Sequence, residues 1–548
     1  MALVDYCVVV IFLVLIFWAG SYFYKWIKHP DDFFVSGRQL TPFILAATIT
    51  ATNVNLYSFV GQAGVAYSHG ISIIWQTWTG NMALVLAGLF IVPLFRTLKV
   101  RTIPEFLELR YNQGVRVLIG ILWIFRLIFW LGVVLYTAAV AAQTITGIKS
   151  FTVWVAVFAL IAIFYTMMGG MWAVALTDTI QFVLMLLGAL LILPIVMSAV
   201  GWLPGLVEKL PAQNLQLVTH AGLYNWKFVL AISILGLQWA SLDQGLLQRA
   251  FSAKDTKTVT RGMVLAGIIT TPFALLWNFP GLAASVLHPG LSNPDSAIPF
   301  LIANHLPSFF LGLVVCGLLA SQLSTIDSNL NAVVTLYVND IYTRVIKKEA
   351  SPQLTLKVVR IATVFFGLLI IAFSYLVPRL GGAVQAYLTV IGIMDMPLFV
   401  VAVVYGLLWK RVNWQGAVGG YLIGALSGTV VRFVFHGDLA TSTLISAAAA
   451  LISCPLISIF FPRTSPHKIR LIWEKKKEFS RKSEELGHYK IIPVSIGGRI
   501  GLGMLGVGLI TFFAGVISGS IPHPQASSIA LAGMILFFLG GLVRIKFT

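Results

Sequence analysis

Apolar segments long enough to cross a lipid bilayer recur along almost the whole chain, and this feature limits its possible folds more than any other. A helix needs about 20 consecutive apolar residues to span the hydrocarbon core of a membrane. The 548 residues are 58% hydrophobic and 10% charged, and we count about fifteen segments of that length. Because uninterrupted helical runs satisfy every backbone hydrogen bond within the bilayer, the sequence predicts an all-α polytopic membrane protein.

The net charge of +18 is distributed unevenly between the loops. Lys and Arg cluster after the first, third and seventh spans, whereas the loops between these are poor in both residues. The positive-inside rule therefore predicts a plasma-membrane protein with its N-terminus outside and its C-terminus, with Arg544 and Lys546, in the cytoplasm. Because this placement accounts for the basic charge, we expect the lipid bilayer as a partner and no nucleic acid. The sequence leaves the oligomeric state open.

The ninth predicted span carries oxygen atoms where hydrocarbon is expected. Four hydroxyls, spaced i, i+3, i+4 and i+7, fall on one helical face, and Asp327 lies beside that face. These hydroxyls belong to Ser321, Ser324, Thr325 and Ser328. Hydroxyls, carboxylates and freed backbone carbonyls are ligands of hard cations, and ionisable groups inside a span usually face a pathway or a cavity. The stripe indicates a cation site, although single Ser and Thr residues also bond to the preceding turn or to a neighbouring helix.

Two other spans are interrupted by polar residues and glycines. In residues 45–67, Asn53-Val54-Asn55 is the expected break, since Asn competes for backbone hydrogen bonds and tolerates non-helical angles. Unwound backbone at membrane depth occurs where it lines a site or is buried in protein, so the carbonyls near Ala51 and Val54 are candidate ligands. A close helix contact through small residues is the alternative. The seventh span is interrupted by Gly236, Gln238, Ser241, Asp243, Gln244 and Gly245.

The interrupted spans have the same rank in successive groups of five, which predicts a five-plus-five inverted repeat with its site near the membrane midplane. The transport core is expected at residues 41–408. One extra N-terminal span lies at 1–30 and about four extra spans follow the core. We place two peripheral spans at 413–461, a basic cytoplasmic loop at 462–495 and two C-terminal spans at 496–548. Within the core, Gly169-Gly170 predicts a tight turn between spans 151–170 and 172–199, with Asp178 about two turns into the second.

Arg126 lies in the fourth span with no acidic residue nearby in the sequence. Its charge must reach the membrane surface, pair with an acid on another helix, or hold an anionic group of a substrate. The sequence alone leaves these three alternatives open.

Several motifs in order resemble those of the sodium:solute symporter family, over roughly residues 30–460. The resemblance is carried by FFVSGRQL, TIPEFLELRYN, GGMWAVALTDTIQ, QRAFSAKD and STIDSNLNAVVTLYVNDIY. It implies a leucine-transporter-type inverted-repeat fold and a main sodium site. Matched to this chain, that site takes carbonyls from Ala51 and Val54 and ligands from Ser321, Ser324 and Thr325.

Some members of that family hold a second sodium ion, which the resemblance would place at Asp178, Ser324 and Ser328. This chain departs from the pattern at Asp327, where the family usually has a small or hydroxyl-bearing residue. The acid would either strengthen a second cation site or bind a proton.

The resemblance also locates the expected solute pocket. Sodium/galactose carriers of the family use Gln, Glu, Asn, Tyr, Lys and Gln, and this chain has Ser58, Thr77, Gly236, Trp239, Ile268 and Thr389 at those positions. Trp78, Arg126 and Asp243 complete the expected pocket residues. Arg126 with Trp75, Trp78 and Trp239 would suit a small organic molecule with an apolar or anionic part.

These features predict a secondary active symporter that couples sodium movement to the import of a small organic solute by alternating access. A proton-coupled carrier or channel using Asp178, Asp327 and Asp395 is the alternative, and a membrane sensor built on a transporter scaffold is a third. We expect no enzyme, because the sequence has no recognisable nucleophile, catalytic metal site or phosphate-binding motif.

Overall fold

A computed structural model of the chain describes residues 2–23, 39–98, 100–464, 468–469, 472–474 and 489–547, without the side chains of 16–17, 19–23, 165, 168–180, 182 and 185. Within these ranges the regular structure is helical, apart from one isolated bridge between Leu40 and Ala253. The prediction of an all-α protein is confirmed.

The helices are numbered here in chain order, and short 3₁₀ turns are left unnumbered. They are α1 (Leu3–Phe23), α2 (Pro42–Asn53), α3 (Tyr57–His69), α4 (Ile71–Thr97), α5 (Ile103–Arg110), α6 (Gln113–Thr146), α7 (Phe151–Val200), α8 (Trp202–Lys209), α9 (Trp226–Leu242), α10 (Gln244–Phe251), α11 (Thr256–Leu287), α12 (Ala297–His305), α13 (Phe310–Ile346), α14 (Pro352–Ser374), α15 (Ala383–Leu408), α16 (Trp414–Phe433), α17 (Leu439–Phe460), α18 (Ile496–Ser518) and α19 (Ala526–Lys546).

Among the described residues, 10 helices are long and apolar enough to cross a membrane, or up to 13 if each of three bent helix pairs is one span. Apolar stretches also lie at Leu3–Leu15 in α1 and Phe151–Phe164 in α7, and both helices continue into residues whose side chains lie outside the described part of the chain. The expected number of about fifteen spans stays a prediction.

Helix α7 cannot be a straight rod. Its 50 residues would extend about 75 Å if straight, more than twice the roughly 30 Å hydrocarbon core. Leu318 of α13 lines two small cavities. Phe158 of α7 lines one of them and Ile192 of α7 lines the other, so both residues lie near the same side chain. The backbone therefore folds back between Phe158 and Ile192, as expected for two antiparallel spans. A reversal of direction needs a turn, and both Gly169 and Gly170 lie inside the helical run that contains the reversal. The position of the turn at these glycines stays a prediction.

Burial separates a central bundle from a periphery. The apolar windows of α4 and α13 are 78% buried inside the protein, whereas those of α14, α16, α17 and α18 are 33% buried. At the periphery, α18 and α19 pack backbone to backbone: a Cβ atom added to Gly508 would lie 2.5 Å from the amide nitrogen of Phe537. The central helices therefore have the protein surroundings that a polar site inside a membrane requires.

Both predicted helix breaks are present. The axis bends by 47° between α2 and α3 and by 44° between α9 and α10. The second break falls at Asp243, whose carboxylate Oδ1 accepts a hydrogen bond from the amide of Leu246 at 3.1 Å and so caps α10. Each bend leaves backbone groups available for contacts with other helices.

Candidate cation and solute site

The break after α2 is held open by an asparagine. Val54 takes extended backbone angles, φ −94° and ψ 106°, immediately after Asn53. The side chain of Asn55 spans the break: Nδ2 donates to the carbonyl of Thr52 at 3.2 Å, and Oδ1 accepts from the amide of Tyr57 at 3.0 Å. Asn55 therefore replaces helical hydrogen bonds that the bend removes, and backbone carbonyls of α2 are free to face another helix.

The hydroxyl stripe of α13 lies against these carbonyls. Ser321 Oγ donates to the carbonyl of Val54 at 2.8 Å, and Ser324 Oγ donates to that of Ala51 at 2.9 Å. Thr325 Oγ1 lies 3.0 Å from the carbonyl oxygen of Thr52. The three hydroxyl-bearing residues are almost fully buried. The five residues matched to the main sodium site are thus brought together, and Thr52 joins them.

The main cluster consists of neutral oxygen atoms. The carbonyl of Ser321 also takes part, since Ser324 Oγ and Thr325 Oγ1 lie 3.0 and 3.1 Å from it. Hydroxyl and carbonyl oxygens both present lone pairs to a cation, and a hydroxyl that now donates to a carbonyl can rotate its proton away. Hard cations prefer oxygen ligands, and a cluster without a carboxylate suits a single positive charge. The residues present therefore fit a sodium ion as transported substrate.

Asp327 and Ser328 meet a different partner. Ser328 Oγ accepts a hydrogen bond from Nη2 of Arg249, and the same hydroxyl lies 3.1 Å from Asp327 Oδ1. Asp327, Ser328 and Arg249 are fully buried. The side chain of Asp178, the third residue matched to a second ion, lies outside the described residues. Arg249 was not anticipated at this position, although QRAFSAKD drew attention to its segment.

A cavity lies between the two helix breaks. The cavity has a volume of about 120 Å³. Asn53 and Asn55 line it from the first break, and Asp243 and Leu246 line it from the second. The two breaks thus meet at one cavity, as the inverted-repeat hypothesis requires. Of the residues expected in the solute pocket, those that line the cavity are Ser58, Thr77, Arg126, Gly236, Trp239 and Asp243.

Trp78 and Thr389 were expected in the pocket, but neither belongs to the cavity lining. The indole nitrogen of Trp78 donates to the carbonyl of Thr271 at 3.0 Å, which fixes the ring in a helix contact. On α15 the lining residues are Tyr387, Leu388 and Ile391. Thr389 lies 100° further round the helix than Leu388 and is buried in the protein instead.

Arg126 pairs across helices, which decides between the alternatives for this residue. Its Nη1 lies 2.8 Å from Asp243 Oδ2, and its Nη2 lies 2.8 Å from Asp395 Oδ2. Only 3% of the arginine side chain is exposed. Two carboxylates compensate one guanidinium, so this group offers no free positive charge to an anionic solute. The suggested fit of the pocket to a molecule with an apolar or anionic part stays a prediction.

Aromatic rings form one wall of the cavity. The ring centroid of Tyr57 lies 5.4 Å from that of Trp130 and 5.2 Å from that of Tyr387, and the last two are 4.4 Å apart. These residues come from three distant segments, and their aromatic character alone does not distinguish them in a chain with 15 Trp and 16 Tyr. The sequence analysis therefore missed this wall.

Two amide groups at the cavity have unused hydrogen-bonding capacity. Gln76 Nε2 donates to the hydroxyl of Tyr57 at 2.7 Å, but Gln76 Oε1 has no hydrogen-bond partner among the described residues. The same holds for Nδ2 of Asn53. Both residues line the cavity. An acceptor and a donor are thus available to a bound molecule.

Charged groups lie at both ends of the bundle. At one end, Glu108 pairs with Arg116 at 2.7 Å and with Arg344, and Arg116 also pairs with Asp340 at 2.6 Å. Burial raises the pKa of Glu108, but the two arginines lower it by more, so that this pKa lies below its usual value. At the other end, burial raises the pKa of Asp295 to about 6.

Comparison with known proteins agrees with the arrangement of the helices and of the oxygen cluster. The profile of the sodium:solute symporter family matches residues 33–424. The chain is 28% identical over 441 residues to the sodium/glucose cotransporter of Vibrio parahaemolyticus, covering 74% of this chain and 80% of the relative. It is 26% identical over 474 residues to the human sodium/myo-inositol cotransporter 2, covering 78% of this chain and 69% of the relative.

A solved structure has the same fold. It is described as a substrate-bound outward-open state of a Na⁺-coupled sialic acid symporter, and it superposes with a TM-score of 0.75 at 22% sequence identity. The superposition covers 85% of this chain and 99% of that one. The family match extends over most of the chain and includes both helix breaks and the hydroxyl stripe. The chain is a multi-pass membrane transporter rather than an enzyme, its transport is coupled to sodium, and it belongs to the sodium:solute symporter family.

Proposed function

We propose that the protein imports a small, uncharged, hydroxyl-bearing solute across the plasma membrane together with sodium, by alternating access. The observation that carries this proposal is the position of the neutral oxygen cluster at a helix break that also lines the cavity. Thr52 belongs to both: its carbonyl meets Thr325, and its residue lines the cavity. An ion bound at this cluster would therefore affect the shape of the solute pocket directly.

Coupling requires that sodium bind two states of the transporter unequally. The oxygen cluster joins α13 to the break after α2, so its geometry depends on how these two segments lie against each other. Sodium would favour the state in which the cluster is complete and the outer side is open. With the N-terminus outside and the C-terminus in the cytoplasm, the membrane potential adds about 2.3 kcal/mol per charge for each 100 mV to inward movement.

The solute class follows from charge and hydrogen bonding in the cavity. Arg126 is compensated by Asp243 and Asp395, so its guanidinium offers no free charge to an anionic solute. Arg249 also lines the cavity, and its guanidinium is held by Thr48, Gly245 and Ser328. Gln76 Oε1 needs a donor and Asn53 Nδ2 needs an acceptor, and a hydroxyl group supplies both. The aromatic wall of Tyr57, Trp130 and Tyr387 offers an apolar surface to the less polar face of such a molecule.

The test is uptake into proteoliposomes of purified protein with a panel of radiolabelled solutes. The panel contains sugars, cyclic polyols, a carboxylated sugar, a zwitterionic amino acid and a quaternary amine, each with and without an inward sodium gradient. We expect an uncharged polyhydroxylated compound to accumulate when sodium is present and to stay at equilibrium when it is replaced by potassium. Uptake of the carboxylated sugar alone would contradict the proposed solute class.

The same vesicles test the proton-coupled alternative. An inward proton gradient without sodium should drive no accumulation. Accumulation that follows the proton gradient and ignores sodium would contradict the proposal and favour a relay through Asp178, Asp327 and Asp395. Asp395 pairs with Arg126, which gives this carboxylate a structural role that needs no proton transfer.

A further inference from the structure

Two histidine side chains meet at the ends of a short segment outside the solute cavity. His288 directly follows α11, and His305 is the last residue of α12. Their Nε2 atoms lie 2.9 Å apart, although 17 positions separate them in the chain. Both residues are partly exposed, and neither lines the cavity. Two ring nitrogens are thus held together at a place that water can reach.

Contacts around the pair hold His288 in place. The hydroxyl of Tyr67 donates to the carbonyl of His288 at 3.0 Å and accepts from the amide of Leu291 at 2.9 Å. The ring of Phe300 lies edge-on to the His288 imidazole, with 4.9 Å between the ring centroids. His305 belongs to the last turn of a helix, which fixes its backbone. Both ligands are therefore positioned before any ion binds, and a preorganised site loses less conformational entropy on binding.

The distance between the two nitrogens matches a metal ion whose bonds meet at a right angle. Imidazole nitrogen binds such ions at about 2.0–2.1 Å, and a nitrogen–nitrogen distance of 2.9 Å then corresponds to a bond angle of about 90°. Neighbouring ligands of Cu²⁺ and Ni²⁺ in square-planar or tetragonal sites make this angle, whereas tetrahedral Zn²⁺ requires nitrogens further apart. The geometry therefore favours Cu²⁺ and Ni²⁺, both of which bind imidazole well.

The protonation of the pair also suits metal binding. A hydrogen bond between two ring nitrogens needs one of them as acceptor, so at least one of the two imidazoles is neutral, the form that binds a metal. From two neutral rings, metal binding moves the proton of the donor ring from Nε2 to Nδ1. Within the described part of the chain, no third His, Cys, Asp or Glu completes a metal-binding group. Water would therefore occupy the other coordination positions.

A bound ion would join two elements that have different neighbours. The end of α11 packs against α7 and α3, whereas α12 packs mainly against α6. Between the two histidines, Asp295 Oδ2 accepts from the amide of Ala383 at the start of α15 at 3.3 Å. A Cβ atom added to Gly64 of α3 would lie 2.8 Å from the carbonyl carbon of Pro294. The segment between the histidines thus lies against α3 and α15, which also line the solute cavity.

We propose that His288 and His305 form a binding site for Cu²⁺ or Ni²⁺, and that the bound ion stabilises the arrangement of α11 and α12 described above. An ion that binds only when the two Nε2 atoms are close favours this arrangement over any in which they separate. The inference does not depend on the proposed function, because it concerns neither sodium nor the solute.

The site is tested on the full chain in nanodiscs, purified without a polyhistidine tag. Electron paramagnetic resonance with one equivalent of Cu²⁺ should show coordination by two imidazole nitrogens in the wild-type protein. His288→Gln and His305→Gln should each lose the two-nitrogen signal, whereas His523→Gln should keep it. His523 is the control because it is an exposed histidine whose Nδ1 accepts from the amide of Gln525 and not from another imidazole.

Thermal unfolding of the same proteins tests the stabilisation. Addition of Ni²⁺ should raise the Tm of the wild-type protein and of His523→Gln, and it should leave the Tm of His288→Gln and His305→Gln unchanged. A wild-type Cu²⁺ spectrum without two imidazole nitrogens would overturn the metal site. A Tm rise that is absent from the wild-type protein, or equal in the wild-type protein and the two site variants, would overturn the stabilisation. If a site variant does not fold, the wild-type spectrum alone decides.

Discussion

The two helix breaks are closed by different chemistry. At the first break, neutral hydroxyls of α13 donate to the carbonyls of Ala51 and Val54. At the second break, Asp243 pairs with the guanidinium of Arg126, which also holds Asp395 of α15. Neutral hydrogen bonds can be exchanged for contacts to a cation at little cost, whereas separating buried charges is expensive. The first break is therefore suited to bind and release an ion, and the second to hold the helices in a fixed relation.

The largest effect should come from removing the charge at the second break. Arg126→Met leaves the carboxylates of Asp243 and Asp395 buried without their cation, which we expect to cost about 3–5 kcal/mol of stability. Thermal unfolding in detergent measures this as a clear drop in Tm. Arg432→Met is a matched control, since Arg432 contacts a carbonyl and an amide oxygen rather than a carboxylate. Equal Tm values for Arg126→Met and the control would mean that the charges at the second helix break stabilise the protein no more than neutral hydrogen bonds do.

The next largest effect concerns sodium at the first break. Ser324→Ala or Thr325→Ala removes one hydroxyl oxygen of the proposed sodium site, and a lost contact of this kind to a charged group costs about 1.5 kcal/mol or more. We expect the sodium concentration for half-maximal uptake to rise about tenfold, with little change in Tm. Thr363→Ala is the control, because Thr363 is also a buried threonine but bonds within its own helix to Val359 at 2.9 Å. Unchanged sodium dependence in both site variants would contradict the ion site.

A smaller effect should separate solute binding from ion binding. Gln76→Met removes the free acceptor at the cavity, so the KM for the solute should rise about fivefold to tenfold through one lost hydrogen bond. The sodium dependence should stay within about twofold, because Gln76 does not contact the main cluster. Gln143→Met serves as control, since the amide of Gln143 bonds to the carbonyl of Lys149 outside the cavity. A rise in the sodium concentration for half-maximal uptake without a change in the KM for the solute would mean that Gln76 acts on sodium binding and not on solute binding.

The smallest effect is expected at the ion cluster of Glu108, Arg116 and Arg344. Burial raises the pKa of Glu108, but Arg344 and Arg116 lower it by more, so that the net pKa is depressed. A depressed carboxyl pKa contributes stability above the usual pKa of 4.5, and this stability is lost as the pH falls through the lower folded-state pKa. The contribution should be less than about 1 kcal/mol, because the side chain of Arg344 is 46% exposed and water screens its interaction with Glu108.

The measurement for this cluster is the difference in Tm between pH 7 and pH 4. Glu108→Gln should reduce that difference relative to the wild-type protein, and the neighbouring exposed acid Glu349 provides a control as Glu349→Gln. Equal differences in all three proteins would mean that the Glu108 cluster contributes no measurable stability. Together with Arg126→Met, this experiment compares a fully buried ion-pair network with one in which a partner, Arg344, is exposed.

The helical fold and the neutral oxygen cluster at the first helix break could be predicted, because the sequence patterns that indicate them are local. The spacing of Ser321, Ser324 and Thr325 places their hydroxyls on one face of a helix, whatever that helix packs against. Asn53 and Asn55 likewise mark a break through their own backbone preferences. Such patterns depend on a few neighbouring residues, so their structural outcome follows from general rules. The role of the three hydroxyls in sodium binding stays a prediction until ion binding is measured.

The partners of the charged residues could not be predicted, because they are set by the tertiary fold. Arg126 is separated from Asp243 by 117 residues and from Asp395 by 269 residues. Nothing near Arg126 in the sequence indicates these acids, and nothing near Ser328 indicates Arg249. The position of Trp78 outside the cavity lining could not be predicted for a related reason, since the orientation of its indole depends on the carbonyl of Thr271.

The aromatic wall of the cavity gives the protein an optical reporter of its own. Trp130 and Trp239 both border the space in which a solute would sit. Indole emission changes in colour and yield when the surrounding water is displaced, so a ligand entering this space should alter the intrinsic fluorescence of the unlabelled protein. Large compound collections can therefore be screened by titration in a cuvette, and the preferred cargo can be found before any vesicle is prepared.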